Sequence, residues 1–114
     1  MTKKKLSQVE AKLMRACKKA RAAGYRLARG EFYRPAEGRR RPRCCPIGAL
    51  CGISIASDPN LVRAEKALGI GELEIWEIIE GVDDGTPAAP GPGAWGREFY
   101  QLGVRLCRRL RIPR

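Results

Sequence analysis

Hydrophobic spacing and helix-end signals mark four helical stretches along the chain. Over residues 7–24, Val9, Leu13, Ala16, Cys17 and Ala20 share one face, while Lys12, Arg15, Lys18 and Lys19 occupy the other. Ser7 and Glu10 have the spacing of a capping box, so a helix is predicted from there to Gly24. From about Ala94 to Arg111, Trp95, Phe99, Leu102, Leu106 and Leu110 form a second stripe, with Arg97, Arg105 and Arg108 away from it. Between them, Asp58-Pro59 opens a helix over Asn60–Leu68 that stops at Gly69, and Glu72–Glu80 reads as another that stops at Gly81.

The rest of the chain lacks that period. Residues 25–34 mix aromatic and basic residues and suit a short strand or extended arm around Glu31–Arg34. Residues 35–43 combine Pro35, Gly38 and Pro42 with four arginines and predict an exposed loop. Cys44–Ile53 is the most apolar stretch; Pro46 fits the first position of a short helix, and its glycines would admit a close neighbour. The expected fold is therefore mainly α, of four to five helices, with a short β-hairpin or extended arm at 25–43. It forms one small helical domain over residues 1–114, with a basic loop at 34–43 and a Gly/Pro-rich loop at 81–96. No fixed-period repeat is present, so a solenoid is not indicated.

Composition narrows the function classes. A chain of 114 residues, 44% apolar, can bury a core without staples. No apolar run reaches the roughly 20 residues of a transmembrane helix, and the lysine-rich start does not read as a signal peptide, so a cytoplasmic location is expected. The five cysteines, Cys17, Cys44, Cys45, Cys51 and Cys107, are odd in number and lack paired spacing, which favours reduced thiols. Histidine is absent, removing the commonest partner of an activated nucleophile; the expectation is a protein that is not an enzyme, with no catalytic residues.

Charge adds the strongest asymmetry. Residues 1–43 carry 15 Lys/Arg against three acids, residues 44–96 two against eight, and residues 97–114 six against one, giving net charges of +12, −6 and +5. Clustered cations neutralise phosphates and release counterions, so nucleic acid or an acidic protein surface is the expected partner. The bland alternative is that basic ends satisfy the acidic middle, within the fold or across an oligomer.

The best functional candidate is the arm and loop, where Arg26, Arg29, Arg34, Arg39, Arg40, Arg41 and Arg43 can pair with phosphates and Tyr25, Phe32 and Tyr33 can stack on bases. Lys12, Arg15, Lys18 and Lys19 of the first helix, with Arg105 and Arg108 of the last, extend the cationic surface. The competing reading makes the aromatics core and the arginines a solvated loop.

Other patterns carry less chemistry. Cys44, Cys45 and Cys51 could be soft metal ligands, but without a C-x₂-C pair or a histidine they read as core residues, and no metal or cofactor is expected. Cys44 or Cys45 beside the arginine run could be reactive, yet no base accompanies them. Gly69-Ile70-Gly71 is too short for a phosphate loop, and Val82-Asp83-Asp84-Gly85 is more simply a turn than a calcium loop.

Ala64–Ile79 resembles a helix-turn-helix, with Leu68-Gly69-Ile70 as the turn. Its second helix offers Glu72, Glu74, Glu77 and Glu80 where a DNA reader would place Arg, Lys, Asn or Gln, so phosphates would repel it. The order Cys-Pro-Ile-Gly-Ala-Leu (45–50), Ala-Leu-Gly-Ile (67–70), Trp-Glu-Ile-Ile-Glu-Gly-Val-Asp-Asp (76–84) and Phe-Tyr-Gln-Leu-Gly (99–103) is similar to small bacterial and phage proteins of uncharacterised function. That resemblance implies a shared helical core and brings no site residues.

Two functions are thus carried forward. One is non-enzymatic nucleic-acid binding through phosphate-backbone contacts with low sequence specificity. The other is a protein-interaction module, a small adaptor or inhibitor of phage or bacterial kind, that docks or self-associates as a homo-oligomer through charge complementarity. A membrane partner is disfavoured, because the apolar helix faces are needed for the core.

Overall fold

A computed structural model describes residues 3–29, 33–51, 61–84 and 97–113. Among these the chain is mainly helical, with five helices and one small sheet: α1 (Lys3–Ala22), β1 (Arg26–Leu27), β2 (Tyr33–Arg34), β3 (Arg43–Cys44), α2 (Pro46–Cys51), α3 (Leu61–Leu68), α4 (Glu72–Asp84) and α5 (Arg97–Arg109). The Asp58-Pro59 start signal, Ala94 and Trp95 lie outside the described residues, as does Glu31 of the expected strand.

Helix α1 begins four residues before the expected cap, so Ser7 is a helical residue and not an N-cap. The physical reason is that Lys4, Lys5 and Leu6 are good helix formers, and Leu6 packs against the core one turn before Val9. Glu10 is left to pair with α5, its carboxylate 3.2 Å from Arg105 Nε and 3.5 Å from Arg109 Nη1. The backward reach of a glutamate to a cap is made elsewhere: Glu74 Oε2 accepts from the Gly71 amide that precedes α4.

The helix ends follow local chemistry. After α1, Gly24 adopts φ +96°, the Tyr25 amide donates to Ala20 O at 3.0 Å and the Gly24 amide to Arg21 O at 3.0 Å, a Schellman closure. After α3, Gly69 at φ +67° donates to Glu65 O at 2.7 Å. Helix α5 closes in the same way as α1, but with Arg111 in the left-handed position at φ 51° and the Ile112 amide on Cys107 O at 3.0 Å.

Gly81 corrects the expectation that α4 stops there and that a loop starts at 81. The helix runs on to Asp84 because Gly81 is buried at the crossing with α5. A Cβ on Gly81 would run into the Tyr100 carbonyl and stand 3.1 Å from Gly103 Cα; one on Gly103 would run into Ile78 O. Tertiary packing overrides the local stop signal, since only two glycines allow these backbones to approach so closely. The α4 and α5 stripes meet there: Ile75, Ile78, Ile79 and Val82 bury with Phe99, Leu102, Leu106 and Leu110.

Val9, Leu13, Cys17 and Ala20 of α1 join the same core, with Leu27, Cys44, Cys45 and Ile47. Fully burying each large apolar side chain contributes about 2 kcal/mol. Cys45 stands where an N-cap would, its Sγ accepting from the Gly48 amide at 3.3 Å while Pro46 opens α2. Among the described residues no helix is long and apolar enough to cross a membrane.

Candidate functional site

The sheet has the order β1-β3-β2, with β1 parallel and β2 antiparallel to β3. The β2–β3 register pairs Tyr33 with Cys44 and Arg34 with Arg43, and the same register continues outward to a Glu37–Arg40 bridge. Residues 33–44 are therefore a β-hairpin, the short β element expected within 25–43, and residues 34–41 of the expected loop are exposed on it. The ladder is interrupted in the middle by the facing prolines Pro35 and Pro42, and Pro lacks the amide a ladder requires. At its tip only Gly38 (φ +57°) of the two central residues has a positive φ, the pattern of a type II′ turn.

Strand alternation then sorts the residues. Leu27 and Cys44 are buried on the core side, so Arg26 and Arg43, paired across the parallel strands, point away from it. Arg34, opposite Arg43 on the other side, is exposed on the same face. Three arginines thus stand side by side across three strands, although like charges directly opposite destabilise a sheet. A local arrangement that opposes stability is the kind retained for function.

These arginines do not end at a flat surface. Arg26, Arg39, Arg40, Arg41 and Arg43 line a half-open concavity of about 660 Å³. Among the described residues, the guanidinium groups of Arg26, Arg39, Arg40 and Arg41 make no ion pair. Such a concavity offers planar donor forks to an anion and suits bidentate phosphate contacts.

The remaining candidate residues have other places. Arg29 is half-buried and donates to Ile112 O at 3.2 Å, tying down the chain after α5. Arg21, which the sequence reading did not single out, does the same to Leu110 O. Lys12 donates to Ala67 O at 2.8 Å and so satisfies a carbonyl at the end of α3. Arg15, Lys18 and Lys19 are exposed on α1, and Arg105 and Arg108 are exposed on α5, where Arg105 pairs with Glu10. Tyr25 is half-buried against the core; Phe32 and the Tyr33 side chain lie outside the described residues.

The thiols face the other way. Cys17, Cys44, Cys45 and Cys107 are buried. Burial pushes Cys17 up to about 12, helped by Cys44 and Cys45, while burial raises Cys44 to about 11 and Cys45 to about 12. Cys17, Cys44 and Cys45 are thereby held as neutral thiols, not activated nucleophiles. Among the described residues no group of His, Cys, Asp or Glu side chains could hold a metal ion.

No protein-family model, curated protein or solved structure matches the chain. The candidate site therefore rests on its own geometry.

The convergence of these arginines is not visible in the sequence. Arg26 joins the hairpin arginines only because β1 lies parallel to β3. The available signal was the alternation Arg26-Leu27 against Arg43-Cys44, each pairing a cation with a core residue.

Proposed function

We propose that this protein binds nucleic acid without catalysis, contacting the phosphate backbone through the arginine face of the 33–44 hairpin and β1 with little preference for base sequence. The observation that carries this reading is the concavity lined by five arginines, four of them without an ion pair among the described residues. A stretch of backbone presents several phosphates at once, and each one engaged releases condensed counterions. Exposed cations on α1, Arg15, Lys18 and Lys19, add to the long-range attraction. Base reading is not expected from α4, whose Glu72 and Glu80 are exposed towards any approaching phosphate.

The test is a titration of single-stranded and duplex oligonucleotides of unrelated sequence across a salt series. For three to five phosphates engaged, the logarithm of affinity should fall against the logarithm of salt with a slope of about −2 to −4.5. The R39E/R41E variant should bind at least about tenfold more weakly, a change of roughly 1.4 kcal/mol, and with a shallower slope. Absence of binding at low salt, or affinity indifferent to salt, overturns the reading.

A further inference from the structure

Few large hydrophobic side chains are exposed among the described residues: Val62, Leu73 and Trp76, all on α3 and α4. On α4, Leu73, Trp76, Glu80 and Asp83 are exposed at helical spacing, with Glu72 beside them. Trp76 Nε1 lies 3.5 Å from Glu72 Oε1, which sets indole and carboxylate side by side. Apart from that contact and the cap at Gly71, Glu72, Glu74, Glu77 and Glu80 have no polar partner among the described residues. Among the described residues, then, no Lys or Arg of the basic ends pairs with these four carboxylates.

An indole flanked by carboxylates is built for a guanidinium, which can lie over the ring while its donors reach the acids. The chain carries such a counterpart. Residues 34–43 hold five arginines and one acid, and residues 72–84 hold six acids and no Lys or Arg. The lengths also agree: thirteen helical residues extend about 20 Å, and a six-residue hairpin limb extends about 20 Å.

We infer that the Trp76–Leu73 face of α4 docks the arginine hairpin of a second copy of this chain, and that this contact and phosphate binding exclude one another. The inference rests on the same arginine face as the proposed function, but adds the surface that would mask it. Free nucleic acid would then compete the copies apart, and self-association would hold the arginines covered in its absence. If each copy gave both surfaces to the other, the pair would close; otherwise copies would add head to tail.

Sedimentation velocity of the full-length chain, over a range of concentration at low and high salt, reads this directly. The mass should rise with concentration at low salt and fall when a single-stranded oligonucleotide is added. E72R/E80R and R39E/R41E should each self-associate at least about tenfold more weakly, and mixing the two should restore association, because the reversed charges complement one another. E72Q/E80Q keeps the arginine face and adds no cation, so its oligonucleotide affinity reports on the proposed function independently. A wild-type chain that stays monomeric at the highest attainable concentration, a charge-reversed variant that associates as wild type, or a mixture that fails to associate overturns the inference. A monomer with Trp76 shielded from a neutral quencher would instead assign this face to residues 52–60 or 85–96 of the same chain, and would equally overturn it.

Discussion

The arginine hairpin and helix α4 carry opposite charge, and they are held in opposite ways. Helix α4 is seated by backbone against backbone, with Gly81 and Gly103 at the crossing and a row of isoleucines beneath. The hairpin is held by short strand pairs, interrupted by Pro35 and Pro42, and by one tight turn at Gly38-Arg39. Residues 34–41 are all exposed, whereas on α4 every third or fourth residue is buried. Charge on a rigid seat presents a fixed surface; charge on a thinly paired hairpin can adjust to the ligand it meets.

The difference is sharpest at its glycines. Gly81→Ala should destabilise the fold by about 3 kcal/mol, because the added methyl meets backbone and cannot be relieved by a rotamer change. A denaturant midpoint with an unchanged slope measures it, and a loss below about 1 kcal/mol would mean that the helices separate easily. Gly38→Ala has open space around it, so only its backbone conformation is strained, and the loss should be about 1–2 kcal/mol. The same variant should weaken oligonucleotide binding, since the turn sets the directions of Arg39, Arg40 and Arg41.

A smaller effect separates the two surfaces by pH. Burial, with Glu74 and Glu80 nearby, raises the pKa of Glu77 above that of an ordinary carboxylate. The unfolded chain then releases this proton more readily than the folded one, so the stabilising contribution of protonated Glu77 is complete below the ordinary value and is lost as pH rises through the raised one. Glu77→Gln should accordingly raise the melting temperature slightly at neutral pH and leave it unchanged in acid. A melting temperature lowered at neutral pH would show that the carboxylate is stabilised by a partner.

Much of this organisation was legible because it is local. The stripe Phe99, Leu102, Leu106 and Leu110, the stops at Gly24 and Gly69, and Pro46 at the head of α2 each depend on residues within one or two turns. The acidic character of α4 and the arginine-rich arm were equally plain. Where two distant segments decide the outcome, the sequence was silent or misleading. Gly81 has the appearance of a helix stop until Gly103 is placed against it. Ser7 has the appearance of a cap until Leu6 is seen to pack below it. Arg29 and Lys12 look like further phosphate ligands until their carbonyl partners, Ile112 and Ala67, are known.

The central claim is that the arginine face, not α4, meets the phosphates. A nitrogen–proton correlation spectrum that includes the arginine Nε groups, recorded while a single-stranded oligonucleotide is added, tests it most directly. The account predicts that Arg26, Arg39, Arg40, Arg41 and Arg43 shift together with one saturation curve, while the amides of residues 72, 73, 76 and 80 shift only as far as self-association is dispersed, and correspondingly less in the charge-neutralised E72Q/E80Q. Saturable shifts on α4 of that variant, with the hairpin arginines unmoved, would contradict it.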